Sequence, residues 1–263
     1  MQIFVINLEK DHARRESMQK QLDDLQLAFE FFPGVLGSAL SAKELAECYD
    51  DKKAKSHQCM TLVPAHIGCS LSHVNVYREI ISRNLPCALI LEDDVVLPKT
   101  TPDLIPKVFN AMNVSNPEVI LLSPAECNIK SKLKRNIGHD IFLAPFKSGY
   151  FTSSYIITNT GARALLKELF PIANHADCWN RMKLYKVVDI FVLSPALINQ
   201  DQSTFGSSTT EEILIAIKAL NKWWGWKWMF KARRAWAKLR DFFYGFYRRK
   251  FVPYSGIFKD GSE

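Results

Sequence analysis

The feature that most constrains the fold of this chain is a series of near-continuous apolar runs of strand length, separated by segments whose apolar residues have helical spacing. The runs predict strands at 2–8, 31–35, 87–91, 119–122, 155–157 and 187–192. Helical spacing predicts helices near 11–25, 64–83 and 161–170, and a capping box at Ser41 opens another. Apolar strands that alternate with helices are typical of a largely parallel sheet covered on both faces. The sequence therefore predicts an α/β fold with ligands bound beyond the carboxyl ends of the strands.

Length and composition predict one domain followed by a tail. The chain has 263 residues, of which 48% are hydrophobic and 23% charged, so it can bury a substantial core and does not have a disordered or fibrous composition. We place the domain at 1–202 and a linker and tail at 203–263. Six dispersed cysteines, in which we find no zinc-type Cys/His spacing, favour a reducing compartment. The opening apolar run is too short for a signal peptide, and no run reaches transmembrane length, so we expect a cytoplasmic protein.

The tail is strongly basic and rich in tryptophan. Between 218 and 250 there are eleven basic residues and one acidic residue, a local net charge of +10, which leaves −3 for the rest of a chain whose total is +7. Five of the six tryptophans lie in this tail. On a helix, basic residues would face one side and apolar and aromatic residues the other, which favours binding to an anionic membrane surface. The alternative is a helix packed on the domain or on a second subunit, and the second case would make the protein a homo-oligomer.

Three consecutive acidic residues follow the buried strand at 87–91: Glu92, Asp93 and Asp94. Carboxylates at the end of a buried strand are unfavourable unless a positive charge neutralises them. Mg²⁺ and Mn²⁺ prefer carboxylate oxygens and often share them with a diphosphate. The triplet therefore indicates a divalent cation site for a nucleotide-linked substrate, with a solvated turn as the alternative.

Five ordered sequence blocks resemble glycosyltransferase family 25. They are VINLEKDHARRESM at 5–18, GCSLSH at 68–73, LILEDDV at 89–95, GYFTSSYIITNTGARALL at 149–166 and DCWNRM…LSPALINQD at 177–201. The resemblance implies a GT-A-like fold, a UDP-sugar donor that is most often UDP-galactose, a Mn²⁺ or Mg²⁺ cofactor, and inverting transfer that gives a β-linkage. It also implies a bacterial lipooligosaccharide acceptor, made at the cytoplasmic face of the inner membrane.

The resemblance assigns metal ligands within the acidic triplet. Asp94 is the first choice, and Asp93 is expected to share the ion or to lie near the ribose of the donor. Glu92 is a weaker candidate. Gln200 stands where some relatives have histidine, and its amide oxygen can complete the site.

Five residues are expected to bind the donor beside Asp93. Asn7 and Leu8 end the first strand, and Arg14 and Arg15 lie in the first turns of the following helix, where the planar guanidinium group suits a phosphate. His73 matches a family position near the donor. The alternatives are an exposed basic helix face and a core histidine.

An inverting transfer needs a general base for the acceptor hydroxyl. Asp177 is the candidate, and the alternative is a helix N-cap. Trp179 is expected to stack on the acceptor sugar.

Two other functions are compatible with the sequence. The first is transfer from UDP-glucose or UDP-N-acetylglucosamine, because one hydroxyl or acetamido group is discriminated by a few pocket side chains. The second is a nonenzymatic nucleic-acid binder, since basic residues interleaved with aromatic ones also suit nucleic acid. The second leaves the acidic triplet unexplained, so we expect no nucleic-acid partner.

Overall fold

The computed structural model describes residues 1–58 and 60–201, and the predicted linker and tail at 203–263 lie outside this part of the chain. The strands are β1 (Gln2–Asn7), β2 (Glu30–Pro33), β3 (Cys87–Glu92), β4 (Val95–Val96), β5 (Glu118–Leu121), β6 (Glu126–Cys127), β7 (Arg135–Gly138), β8 (Ile141–Ser148), β9 (Ser154–Thr158), β10 (Asp189–Ser194) and β11 (Asn199–Gln200). The helices are α1 (His12–Asp24), α2 (Ala42–Cys48), α3 (Asp51–Gln58), α4 (Pro64–Ser82), α5 (Thr101–Asn110), α6 (Asn159–Leu169) and α7 (Trp179–Leu184). None of the helices in residues 1–58 and 60–201 combines the length and the hydrophobicity of a transmembrane span.

The central sheet has the strand order β2-β1-β3-β9-β5-β10-β8-β6, and β7 also pairs with β8. β1 is parallel to β2 and β3, and β10 is parallel to β5. β9 lies between β3 and β5 and is antiparallel to both, so β2, β1, β3, β5 and β10 all run in one direction. The predicted α/β architecture with a largely parallel, helix-flanked sheet is confirmed.

Both faces of the sheet are buried, as near-continuous apolar strands require. Along β1, Phe4 and Ile6 face one hydrophobic cluster while Ile3 and Val5 face the other. The first cluster includes apolar residues of α4 and α6, and the second includes those of α1 and α5. This alternation follows from the two-residue period of a strand.

The loop after β2 packs directly against the beginning of α4. A Cβ atom on Gly37 would collide with the carbonyl oxygen of Pro64, and one on Gly68 would collide with the carbonyl oxygen of Val35. The backbone N–H of Val35 also donates to Ser72 Oγ at 2.8 Å. The loop and the helix therefore form one continuous wall at the carboxyl edge of the sheet.

The segment at 126–148, for which the sequence predicts a loop or a β excursion, forms the strands β6, β7 and β8. A buried ion pair ties it to the sheet: Arg135 donates from Nη1 and Nη2 to the two carboxylate oxygens of Glu118 at 2.9 and 2.7 Å. Glu118 is fully buried, and the Arg135 guanidinium lies 4.0 Å from the centre of the Phe191 ring. Because both charges are paired and the guanidinium is stacked, this pair fixes β7 against the core.

Candidate active site

A cleft of about 230 Å³ opens at the carboxyl ends of β1 and β3, where ligands bind in parallel α/β sheets. The ends of β1 and β3 supply its floor, and α1, the loop after β2 and α4 supply its walls. Gln200 on β11 closes one side, because β11 pairs with β4 directly after the acidic triplet. The sequence prediction placed the site at this edge of the sheet.

Asp93 is held by two of the predicted donor-binding residues. Asn7 Nδ2 donates to Asp93 Oδ2 at 2.8 Å, and Arg14 Nη1 donates to Oδ1 at 3.0 Å. Burial raises the pKa of the Asp93 carboxyl, although the hydrogen bonds from Asn7 and Arg14 and the charge of Arg14 oppose this effect. Both carboxylate oxygens are already engaged, so Asp93 suits the positioning of Arg14 better than the binding of an ion.

Asp94 is less completely neutralised. Its Oδ2 lies 3.7 Å from Arg14 Nη1, and its Oδ1 accepts a long hydrogen bond of 3.3 Å from Gln200 Nε2. Burial, together with the charges of Glu92 and Asp93, raises the pKa of Asp94 to about 6, and the charge of Arg14 and the hydrogen bond from Gln200 act against this rise. A buried carboxylate with this environment favours a cation beside it. The structure thus brings together Asp94 and Gln200, which the sequence predicted as metal ligands.

Glu92 is fixed by side chains from two other segments. Thr152 Oγ1 donates to Glu92 Oε1 at 2.6 Å, and His73 Nε2 lies 3.2 Å from the same oxygen. Burial acts to raise the pKa of Glu92, but hydrogen bonds and charge from His73, with the hydrogen bond from Thr152, hold it below its usual value. His73 lines the cleft, but its side chain is buried and both ring nitrogens contact protein groups, so its role at the donor stays a prediction.

The two adjacent arginines have different surroundings. Arg14 lines the cleft together with Leu8. The Arg15 guanidinium lies 3.9 Å from the centre of the Phe31 ring, and its Nη1 is 3.4 Å from Asn7 Oδ1. Arg15 is not among the residues lining the cleft, so the prediction that it binds the donor is corrected. Arg15 instead contacts the side chain of Asn7. Asn7, which is itself buried, acts through Asp93.

The prediction that Trp179 stacks on the acceptor sugar is wrong. Its side chain is 1% exposed, its indole N–H donates to the carbonyl oxygen of Phe151 at 2.9 Å, and its ring packs edge-on against Tyr155. A buried ring cannot stack on a sugar, so Trp179 is a core residue that positions the Phe151 loop. The exposed aromatic rings in that loop are Tyr150, 64% exposed, and Phe151, 46% exposed.

Asp177 lies beside this aromatic loop. Its Oδ2 accepts a long hydrogen bond of 3.4 Å from the Phe151 backbone N–H. The alternative that Asp177 is a helix N-cap does not hold, because the N-cap of α7 is Cys178, without a side-chain capping bond. Burial raises the pKa of the cleft-lining Cys69 thiol well above its usual value, and the charges of Glu92, Asp177 and Asp94 add to this. Asp177 is therefore near Cys69, although it is not among the residues that line the cleft.

Residues 1–180 match the sequence profile of glycosyltransferase family 25 (LPS biosynthesis protein). The chain belongs to glycosyltransferase family 25. Similar proteins include a glycosyltransferase 25 family member of Drosophila melanogaster, 30% identical over 172 residues, which are 62% of this chain and 27% of that protein. They also include procollagen galactosyltransferase 2 of Homo sapiens, 27% identical over 176 residues, 63% of this chain and 27% of the human protein. The chain thus spans about a quarter of the length of these relatives.

A solved structure of a glycosyltransferase involved in the glycosylation of the major capsid of PBCV-1 is also similar. The TM-score is 0.39 and the sequence identity 11%, and the match covers 81% of this chain and 98% of that chain.

Three parts of this family 25 site were missed by the sequence analysis. The loop at 34–38 forms a wall of the cleft. Its sequence signal is Gly37, which packs closely against Gly68 on α4. Tyr150 and Phe151 were contained in a motif block, and a non-glycine φ of 80° at Phe151 marks a constrained loop. Cys69 lies four residues before His73, a helical i,i+4 pair that the search for zinc-type spacings overlooked.

The donor atoms of the cleft fit a hard divalent cation at Asp94. Its carboxylate is buried and carries a raised pKa, and the Gln200 side chain lies beside it. The Gln200 amide nitrogen faces Asp94, and a half-turn of the amide would present its oxygen to an ion there. Mg²⁺ and Mn²⁺ take oxygen ligands and are commonly held by one or two carboxylates plus substrate phosphates. Asp94 and Gln200 would hold such an ion.

Proposed function

We propose that this family 25 chain transfers a hexose, galactose, from UDP-galactose to a carbohydrate acceptor with inversion, giving a β-linkage. The observation that carries the proposal is Arg14, which lies between Asp93 and the incompletely neutralised Asp94 on the floor of the cleft. A guanidinium and a carboxylate-bound cation are complementary to a diphosphate. Procollagen galactosyltransferases are among the relatives, and their name supports galactose over glucose or N-acetylglucosamine.

The donor diphosphate is expected to lie against Arg14, whose position is set by Asp93. Asn7 holds the second oxygen of Asp93, so the guanidinium is oriented before the donor binds. Mn²⁺ or Mg²⁺ held by Asp94 and Gln200 would act as a Lewis acid that neutralises charge on the leaving diphosphate. Leu8 and the loop at 34–38 provide the apolar wall that a nucleoside needs.

Asp177 is proposed as the general base. In a single displacement the acceptor oxygen bonds to C1 of the hexose, the bond from C1 to the diphosphate oxygen breaks, and UDP leaves. The proton of the acceptor hydroxyl passes to the Asp177 carboxylate. The long 3.4 Å contact with the Phe151 N–H leaves this carboxylate able to accept that proton.

The acceptor sugar is proposed to pack on Tyr150 and Phe151 in place of Trp179. Both rings are exposed, and the Phe151 backbone is anchored at its N–H by Asp177 and at its carbonyl by Trp179. An aromatic face provides apolar contact for the C–H face of a sugar ring while its hydroxyls remain in water. The acceptor is thereby placed next to the base.

We further propose a lipooligosaccharide core as the acceptor and the cytoplasmic face of the bacterial inner membrane as the location. The description of the family as an LPS biosynthesis protein supports this acceptor. The segment at 203–263, with its basic and tryptophan-rich sequence, is the proposed contact to anionic lipid and would keep the enzyme near a lipid-linked acceptor.

The decisive experiment measures transfer and hydrolysis with UDP-galactose, UDP-glucose and UDP-N-acetylglucosamine, each with and without Mn²⁺. Metal-dependent turnover that is highest with UDP-galactose is expected. Turnover that is highest with another UDP-sugar would overturn the donor assignment, and no turnover with any of them would overturn the proposed activity.

A further inference from the structure

A second group of metal-ligating atoms lies in the same cleft, separate from the Asp94–Gln200 pair. Cys69 Sγ, a ring nitrogen of His73 and a carboxylate oxygen of Glu92 all lie within 4.8 Å of one another. Cys69 and His73 are four residues apart on α4, so both project from the same face of the helix. Glu92 ends β3 and completes the group from the floor of the cleft.

The spacing of these atoms suits one tetrahedral ion. Two ligands at 2.0–2.1 Å from a tetrahedral centre are about 3.3 Å apart, and His73 Nε2 and Glu92 Oε1 are separated by 3.2 Å. The Cys69 sulfur lies within 4.8 Å of both of these atoms. Three protein ligands with a fourth position facing a cavity is the arrangement of open zinc sites.

The side chains around the group already orient the ligands. His73 Nδ1 is hydrogen-bonded to the Tyr155 hydroxyl at 2.8 Å, and that hydroxyl is 3.0 Å from the Tyr77 hydroxyl. Thr152 Oγ1 donates to Glu92 at 2.6 Å. Such outer contacts fix the ring that ligates through its other nitrogen and are a regular part of histidine metal sites. They are a separate observation from the closeness of the three ligands.

We propose that Cys69, His73 and Glu92 bind a thiophilic divalent cation of the Zn²⁺ class, with the fourth position open to the cleft. The thiol and imidazole distinguish this site from the all-oxygen pair at Asp94, since sulfur and nitrogen ligands select Zn²⁺ over Mg²⁺ or Mn²⁺. On binding, the Cys69 S–H loses its proton to solvent and the sulfur bonds to the ion. An ion held there occupies space in the cleft, so Zn²⁺ is expected to compete with whatever ligand the cleft accepts.

The test uses Co²⁺ as a spectroscopic probe for Zn²⁺ in the full chain. One equivalent of Co²⁺ should give the visible bands of a tetrahedral ion and a near-ultraviolet thiolate-to-cobalt charge-transfer band. Stoichiometric Zn²⁺ should remove both, and a large excess of Mg²⁺ should not. Cys69→Ser should lose the charge-transfer band, whereas Cys127→Ser, a matched change on β6, should keep it.

Further variants distinguish metal binding at this site from metal binding at Asp94, and loss of a ligand from loss of folding. Asp94→Asn should retain the cobalt spectrum, because Asp94 belongs to the other site. Tyr155→Phe removes a hydroxyl that contacts His73 and should weaken Zn²⁺ binding about 10-fold or more. If Cys69→Ser does not fold, Glu92→Gln tests the proposal in its place. This variant should weaken Zn²⁺ binding at least as much as Tyr155→Phe does.

Retention of the charge-transfer band in Cys69→Ser, or its loss in Cys127→Ser or Asp94→Asn, would overturn the proposal. Because these spectra report metal binding and not turnover, they test the zinc site independently of the proposed galactosyl transfer.

Discussion

Replacing Asp94 by asparagine should stabilise the protein while removing its metal-dependent activity. Burial raises the pKa of Asp94 to about 6, with Glu92 and Asp93 adding to the effect and Arg14 opposing it. Compared with the ordinary value of 3.8, this corresponds to about 3 kcal/mol by which the ionised carboxylate lowers the free energy of unfolding. Asparagine has a similar size and no charge, so Asp94→Asn should recover about 1–3 kcal/mol of this at neutral pH.

The pH dependence of this stability difference follows from proton binding. The folded protein holds the Asp94 proton more tightly than the unfolded chain does, so this group makes the protein less stable as the pH rises from about 4 to about 6. The two proteins should therefore differ little at pH 4 and differ fully at pH 7.5. Thermal unfolding of the full chain in a chelator measures this, and at pH 7.5 the variant should melt several degrees higher, since 1 kcal/mol corresponds to about 2–4 °C for a domain of this size.

Added Mn²⁺ should reverse the order of the two melting temperatures. A ligand that binds only the folded protein stabilises it by RT ln(1 + L/Kd), where L is the free ligand concentration, and the variant lacks the carboxylate that binds Mn²⁺. The matched control is Asp140→Asn, because this side chain is 95% exposed and its φ of 57° is compatible with asparagine. A destabilised Asp94→Asn in chelator, or equal Mn²⁺ stabilisation of both proteins, would refute the reasoning.

Asp177→Asn should lower the transfer rate by about 10²-fold or more while UDP-sugar affinity stays nearly unchanged, as for the loss of a general base; parallel losses in binding and rate would make Asp177 a donor-binding or structural residue. Tyr150→Ala should raise the acceptor KM several-fold with little effect on donor KM, and an unchanged acceptor KM would remove the aromatic loop from the acceptor site. Arg135→Ala should cost about 3–5 kcal/mol in unfolding free energy, because it leaves Glu118 buried without its partner, and a loss below 1 kcal/mol in denaturant unfolding would contradict this. Truncation after residue 210 should preserve transfer to a soluble acceptor but reduce salt-sensitive sedimentation with anionic vesicles; equal sedimentation of both proteins would exclude a membrane role for the tail.

The order of strands and helices was predictable because apolar periodicity reports which residues are buried. The same pattern places Asp93 and Asp94 at the carboxyl end of β3. It cannot separate their roles, since two adjacent aspartates have the same chemistry. In the folded protein Asp93 turns toward Asn7 and Arg14, while Asp94 turns toward Gln200 and has a raised pKa of about 6. That division depends on contacts with segments far away in sequence.

Burial of aromatic residues was less predictable for a related reason. Trp179 and the adjacent pair Tyr150 and Phe151 all lie among mostly polar residues, and no local pattern indicates which of these rings is buried. Trp179 packs against Tyr155 on β9 and is buried, whereas Phe151, which has a positive φ, is 46% exposed. Both outcomes arise from tertiary contacts, which override sequence pattern at such positions.

The direction of β9 explains how two distant parts of the sequence meet in one site. Apolar periodicity is the same for a strand of either direction, so the sequence did not predict that β9 is antiparallel to its neighbours. Because it is, the beginning of β9 lies beside the carboxyl end of β3, where the Glu92 N–H donates to the Ser153 carbonyl at 2.8 Å. A parallel strand would place Thr158 at that edge and carry the segment before β9 to the opposite side of the sheet. The reversed strand therefore delivers Thr152 to Glu92, and the aromatic loop with its Asp177 contact to the same edge as the acidic triplet.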